Sequence, residues 1–293
     1  MIQQLVSLLN SPYFLVTLAG LIGLLVGSFL NVVIYRLPIM MQQNWRRECI
    51  EYLQIEAAET AMPEEPFNLV LPLSRCPTCK TPIKPHQNIP VISYFFLKGQ
   101  CANCGSSISS RYPMIEAFTA ITSAMVAWHF GYTPQTVFAL LLTWSLIALS
   151  FIDIDHQLLP DNITLPVLWL GLFLSLFGIF TDSHASIIGV VAGYISLWTV
   201  YQLFKLATGK EGMGYGDFKL LALFGAWLGW QYLPVIILLS SLVGAVIGLS
   251  QIIVAKRDQN IPIPFGPYLA ASGWMALLWG NDLNQFYLTT VGL

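Results

Sequence analysis

Four cysteines and two clusters of carboxylates are the groups in this sequence whose types and spacing could do chemistry. Cys76-Pro-Thr-Cys79 and Cys101-Ala-Asn-Cys104 form two CxxC pairs with 21 residues between them. That spacing suits tetrahedral thiolate ligation of zinc, each CxxC making a tight knuckle. Four thiolates leave no open coordination position, so the expected metal is a structural Zn2+ rather than a catalytic one. Cys49 stands apart from the quartet and reads as a packed or surface thiol. The first acidic cluster is Ser150-Phe-Ile-Asp153-Ile-Asp155-His156-Gln-Leu-Leu-Pro160-Asp161. The second is Lys210-Glu211-Gly-Met-Gly214-Tyr-Gly216-Asp217. Asp153 closes an apolar run and Asp217 opens one, and an ionisable side chain kept beside a membrane helix reads by default as functional. Two carboxylates brought together in a poorly hydrated cleft cannot both ionise. They share a proton, one acting as base on a water and the other as acid toward a peptide carbonyl, and they titrate as a unit. That is aspartic-peptidase chemistry, which needs neither a metal nor a covalent intermediate. The ordinary alternative is helix capping, with Asp161 capping the fourth apolar helix and Asp217 the sixth. Composition alone does not select Asp153 over Asp155 or Asp161. The glycines on either side of Tyr215 let the backbone come close to whatever Asp217 acts on.

The elements that must position these groups are membrane helices. The 293 residues are 56% hydrophobic and only 10% charged, with a mean hydropathy of +0.67. A soluble domain carries about 25% charged residues, so the chain reads as an all-α polytopic membrane protein. The net charge of -2 says little, and no nucleic-acid partner is expected. Eight apolar stretches approach the ~20 residues needed to cross hydrocarbon. They are Pro12–Tyr35, Tyr112–Phe130, Gln135–Ile152, Asn162–Phe180, Ala185–Leu206, Phe218–Gln231, Tyr232–Ala255 and Phe265–Gly280. The N-terminus lacks a basic region and a small-residue cleavage site, so the first stretch is expected to be a retained helix. With eight spans all 13 lysines and arginines fall on one side. The positive-inside rule makes that side cytoplasmic and turns both termini outward. The links near His129, Asp182 and Gln231 lie on the other side and carry no Lys or Arg.

The chain thus divides into a first transmembrane helix (1–36), a cytoplasmic insert with the double CxxC (37–111) and a seven-helix membrane core (112–293). The insert begins with an acidic part, Asn44–Pro66, which has helical periodicity around Ile50, Leu53 and Ala57. An insert of this size buries only a small core, so a metal staple is physically sensible. Cytoplasmic thiols stay reduced, which favours metal ligation over disulfides.

With these motifs in hand, the chain resembles the bacterial type IV prepilin peptidases (prepilin leader peptidase/N-methyltransferase), of the GxGD class of intramembrane aspartic proteases. The resemblance is carried by Gly27-Ser-Phe-Leu-Asn31-Val-Val-Ile-Tyr-Arg36-Leu-Pro38, Ser74–Cys79, Asn88–Tyr94, Gly99–Cys104 and Ile108–Glu116. It continues through the Asp153 link, Gly214–Lys219 and Pro262-Ile-Pro-Phe-Gly-Pro267. It runs in order from about residue 20 to 280. The resemblance implies that the two catalytic aspartates are Asp153 and Asp217, and that the family's cysteine quartet is Cys76, Cys79, Cys101 and Cys104. It implies cleavage of the short basic leader of prepilins and pseudopilins after a glycine, at the cytoplasmic face of the bacterial inner membrane. It also implies methylation of the new N-terminus with S-adenosylmethionine, in support of type IV pilus biogenesis, type II secretion or both. No GxGxxG follows a strand, so no dinucleotide-type fold is signalled for the methyl donor. Gly99 in Leu97-Lys98-Gly99-Gln100 is a candidate for close backbone approach to that donor, with a plain turn before the second knuckle as the alternative.

Other residues carry simpler readings. His156 is expected to be a solvated interface histidine, Lys219 a snorkelling lysine and Glu116 an interface acid or a contact to the insert. Gly23-x3-Gly27 suits close helix packing, and Pro262–Pro267 a rigid turn beside the site. The competing function classes are a secondary transporter with interface acids and a structural assembly factor. The acids at one surface, the lack of an inverted repeat and the cysteine insert argue against the transporter.

Overall fold

The computed structural model describes residues 11–54, 67–253 and 263–291. Among the described residues every long element is an α-helix and no strand forms, as expected of an all-α chain. Ala57, the acidic stretch up to Pro66, Ala255, Lys256, Arg257 and Pro262 lie outside the described residues. The chain separates into two compact units, Met1–Tyr132 and Thr133–Leu293.

The first unit holds α1 (Pro12–Tyr52), a short 3-10 turn (Pro85–Asn88), α2 (Ile92–Phe96) and α3 (Arg111–Phe130). Helices α1 and α3 pack at backbone distance along Gly23 and Gly27. A Cβ on Gly23 would lie 2.8 Å from the Ala120 Cα, and one on Gly27 would lie 2.7 Å from the Glu116 Cα. This bears out the packing role read from Gly23-x3-Gly27. Helix α1 outruns the expected stop at Tyr35 and passes through the buried Pro38 to Tyr52. Proline removes one intrahelical hydrogen bond, but the Met, Gln, Arg and Glu residues that follow are good helix formers and continue the turn.

Two polar side chains, Arg36 and Glu116, tie the insert to these helices, and a third, Asn31, ties α1 to α3. The Arg36 guanidinium is buried and donates to the Asn68 carbonyl at 2.8 Å and the Pro72 carbonyl at 2.6 Å. It also lies 5.7 Å from the centre of the Phe67 ring. Asn31 Nδ2 donates to the Tyr112 carbonyl at 3.2 Å. Glu116 accepts the Val91 N–H at 2.7 Å, which makes it a contact to the insert rather than a free interface acid.

The second unit comprises α4 (Pro134–His156), α5 (Asp161–Ser175), α6 (Ser183–Thr208), α7 (Tyr215–Leu228), α8 (Leu233–Ile253) and α9 (Gly266–Val291, kinked at Trp279). Its core is α7, whose residues Leu220 to Leu228 are all buried. The run Leu-Leu-Ala-Leu-Phe-Gly-Ala-Trp-Leu is apolar on every side, and a helix of that kind is stable only when surrounded. Helix α6 approaches α7 so closely that a Cβ on Gly189 or Gly225 would collide with the other residue's backbone. The Trp227 indole donates to the Val167 carbonyl of α5 at 2.9 Å. The Ser186 hydroxyl donates to the Ala226 carbonyl at 2.7 Å. Trp274 Nε1 of α9 donates to the Thr143 hydroxyl of α4 at 3.0 Å.

Each of the eight expected apolar stretches falls on one long helix. The fourth ends at Ser175 rather than Phe180. Among the described residues four helical spans are fit by length and composition to cross a membrane, namely Pro12–Tyr52, Pro134–His156, Ser183–Thr208 and Trp230–Gln251. Helices α5 and α7, of 15 and 14 residues, fall short of the ~20 residues that crossing requires.

Candidate active site and metal centre

Three helix ends converge in the second unit. Asp153 lies in the last turn of α4, which ends at a left-handed Gln157 whose N–H returns to the Asp153 carbonyl at 2.9 Å. Asp217 lies in the first turn of α7, where its backbone N–H bonds to the Gly214 carbonyl at 3.2 Å. Gly266 opens α9 and donates its N–H to Asp153 Oδ2 at 3.0 Å, a bond buried from solvent. Asp153 and Asp217 are only 6% and 7% exposed, and each falls within electrostatic range of the other. Leu159, from the link after α4, packs into the gap. A Cβ on Gly216 would come within 2.7 Å of the Leu159 Cβ, and one on Gly266 within 3.2 Å of its Cδ2.

The electrostatics of this arrangement are uneven. A carboxylate at a helix N-terminus is favoured and one at a C-terminus is disfavoured. Asp217 enjoys the start of α7. Asp153 occupies the unfavourable end of α4, and the start of α9 offsets that cost through the Gly266 amide. Two buried carboxylates within reach of one another can hold one proton between them, which leaves one group to accept a proton and the other to donate one.

The remaining acids of the two clusters stand elsewhere. Asp155 is exposed, and so is His156. Asp161 is the first residue of α5 and pairs with Lys219 at 2.7 Å, so Lys219 is an ion-pair partner. Glu211 pairs with Lys205 at 2.8 Å. The capping alternative survives only in part. Both acids lie in the first turns of their helices, but the capping positions are Gly214 before α7 and Pro160 before α5, and neither helix start carries a side-chain capping bond. Sequence reasoning did not single out Leu159 or the Gly266 amide. The proline-framed run Pro262–Pro267 was the available signal for the second.

In the first unit the four cysteine sulfurs lie within 4.8 Å of one another. Cys76 Sγ and Cys104 Sγ are 3.8 Å apart, and Cys79 Sγ and Cys101 Sγ are 4.0 Å apart. A ZnS4 tetrahedron with bonds of about 2.3 Å has edges of about 3.8 Å, so the quartet fits a zinc ion. The two CxxC loops are built alike. Lys80 N–H returns to the Cys76 carbonyl and Gly105 N–H to the Cys101 carbonyl, each at 2.9 Å. Isolated bridges Arg75–Pro82 and Gln100–Ser107 close the two loops in the same way. The Cys79 thiol is drawn down to about 5, first by the Thr81 hydroxyl and then by the Thr81 backbone. The Cys76 thiol is also lowered, chiefly by the Cys79 backbone. Thiolates are the form that binds metal. Cys49 is an exposed thiol.

Gly99 sits at the turn before the second knuckle with φ +68°, a conformation that glycine adopts without strain. Its N–H bonds to the Tyr94 carbonyl at 2.8 Å, and its carbonyl accepts from Ile108 at 2.7 Å. A Cβ placed on it would meet the Tyr94 hydroxyl at 3.0 Å. The Tyr94 ring and hydroxyl pack against it on that side.

Several helices long and apolar enough to cross a membrane, a buried carboxylate pair at helix ends and a four-cysteine centre fit a membrane-bound peptidase. The comparisons agree with that class. The model of the Bacterial Peptidase A24 N-terminal domain matches residues 21–130, and that of the Type IV leader peptidase family matches residues 140–249. A prepilin leader peptidase/N-methyltransferase of Stutzerimonas stutzeri is 54% identical, over 96% of each chain. One of Pseudomonas aeruginosa is 54% identical over 97% of each chain. One of Legionella pneumophila is 45% identical over 96% of this chain and 97% of its own. No solved structure matches the chain. The chain belongs to the type IV leader peptidase family.

Proposed function

We infer that this protein cleaves the leader from type IV prepilins and pseudopilins with Asp153 and Asp217 as its catalytic pair, and then N-methylates the new N-terminus. The observation that carries the peptidase reading is the convergence of the two buried aspartates, with one of them held by the Gly266 amide. The names of the relatives carry the substrate and the methylation. In the reaction, one carboxylate of the pair takes a proton from water as the water oxygen bonds to the scissile carbonyl carbon. The other gives its proton to the carbonyl oxygen. Collapse of the tetrahedral adduct breaks the C–N bond, and the amine leaves with a proton returned from the pair.

The basic residues of the insert and of the links near Lys210 and Lys219 favour a cytoplasmic face for the site, in the bacterial inner membrane with both termini periplasmic. A prepilin whose leader stays in the cytoplasm presents its scissile bond at that face. S-adenosylmethionine supplies an electrophilic methyl group to the new amine, with the Gly99 turn as the candidate region for its approach. Zinc held by Cys76, Cys79, Cys101 and Cys104 serves to fold the insert.

The test is cleavage of a short-leader pilin precursor by purified protein. Wild type cuts it, while Asp153→Asn and Asp217→Asn each lose at least about a thousandfold in kcat, as removal of a reacting group does. Precursor left intact by the wild type, or cut normally by either variant, sinks the reading.

A further inference from the structure

Helix α2 of the insert leaves its apolar side uncovered. Ile92, Phe95 and Phe96 share one face of this short helix, and the two phenylalanines are 72% and 84% exposed. The rest of the turn is packed. Ser93 is buried and its hydroxyl donates to the Ile89 carbonyl at 2.6 Å, while Tyr94 lies against Gly99. An apolar cluster left open in this way marks a surface that meets something other than water. The attachment of α2 sets its height. Val91, the residue before it, donates its N–H to Glu116 of α3, and Glu116 lies against Gly27 of α1. Gly27 comes eight residues before Tyr35, where the apolar stretch of α1 ends, and that is about 12 Å of helix. Asn31, bonded to the Tyr112 carbonyl at the start of α3, gives the same register. A glutamate side chain reaches across only part of that length. Helix α2 therefore begins level with the apolar part of α1 and not beyond it.

Charge points to the same surroundings. From Phe67 to Arg111 the chain carries Arg75, Lys80, Lys84, Lys98 and Arg111 and no acidic residue. Lys84 and Lys98, on either side of α2, are exposed. Phenylalanines on one face with lysines at the flanks suit a segment that lies in the interface of an anionic bilayer. We propose that α2 is a membrane foot of the insert, with Phe95 and Phe96 among the lipid acyl chains and Lys84 and Lys98 at anionic headgroups. The proposal rests on the reading of α1 as a membrane helix and is independent of the roles of Asp153 and Asp217. Through the Val91–Glu116 bond the foot fixes the stance of the insert against the bilayer.

The test is photo-crosslinking of the full-length protein with p-benzoylphenylalanine in place of Phe96. The protein is reconstituted in vesicles of phosphatidylethanolamine with a minority of phosphatidylglycerol and irradiated, and the adduct is weighed by mass spectrometry. The same group in place of the exposed Tyr52, about 25 Å of helix beyond Tyr35, serves as the reference. The Phe96 site is expected to give at least about tenfold more lipid adduct than the Tyr52 site, as a side chain sunk into the boundary of headgroups and acyl chains should. Phosphatidylglycerol takes a larger share of that adduct than of the bilayer, and Lys84→Gln with Lys98→Gln returns it to the bilayer's share. The Phe95 site stands in if the protein labelled at Phe96 does not accumulate. Lipid adduct no greater than at Tyr52 overturns the proposal. A protein cross-link in its place does so too, and is the result expected if a second copy or a substrate docks on this face. A phosphatidylglycerol share equal to the bilayer's, with both lysines present, overturns the part given to Lys84 and Lys98.

Discussion

Asp153 depends on a backbone group for its position, so the residue most sensitive to a small change is the glycine that supplies it. A methyl group added at Gly266 would lie 2.7 Å from Asp153 Oδ2, which forces the carboxylate or the loop to move. Displacing a reacting group by about 1 Å can cost up to a hundredfold in rate. Gly266→Ala is therefore expected to lower kcat by about ten- to a hundredfold with KM little altered, read from the cleavage kinetics of the purified variant. Cleavage at the wild-type rate would mean that the amide contact does not position Asp153. The sequence stopped short at this scale. Asp153, Asp155 and Asp161 look alike in composition, and what separates them is tertiary. Asp153 faces the α9 amide and Asp217, Asp155 is exposed, and Asp161 is taken by Lys219.

Helix α7 decides the second unit, and its packing against α6 is the part most intolerant of added atoms. Gly189 and Gly225 touch backbone to backbone, and a Cβ on Gly193 would come within 2.8 Å of the Leu221 carbonyl. Gly189→Val is expected to cost about 1–3 kcal/mol or more through overpacking. It would show as a lower thermal midpoint and poorer yield in detergent. An unaltered midpoint would show that the two helices have slack. The helices themselves were legible, because each is a long apolar run that ends in glycine, proline or charge. Their true lengths were less so. The first apolar stretch ends at Tyr35, yet α1 continues through Pro38 to Tyr52 on a run of helix-forming residues, and the fourth stretch ends early at Ser175. The shortness of α7 also hides from a hydropathy count, since Trp230 and Tyr232 extend its apolar run through a 3-10 turn.

At the scale of the whole chain, the two units rely on different kinds of stabilisation. The second buries a helix completely. The insert of the first leans on a few polar anchors and four cysteines. Purified protein is expected to contain about one zinc per chain, and Cys76→Ser or Cys101→Ser to lose it, measured by elemental analysis. The insert should then become more open to limited proteolysis, with Glu116 and Arg36 left to hold it. A metal content unaffected by both substitutions would remove the quartet as a zinc site. The cysteine spacing was readable from sequence because a knuckle is a local structure. The contact of Glu116 to the insert was offered only as one alternative, and the roles of Asn31 and Arg36 were not legible, because their partners lie dozens of residues away. The contact between Gly189 and Gly225 has a bearing on motion as well. Below that contact Tyr194 and Tyr201 of α6 stack edge-on against Phe218 of α7, and the Ser186 hydroxyl is bonded to the Ala226 carbonyl, so displacing α6 along α7 would break several contacts at once and the two helices are expected to move as a pair.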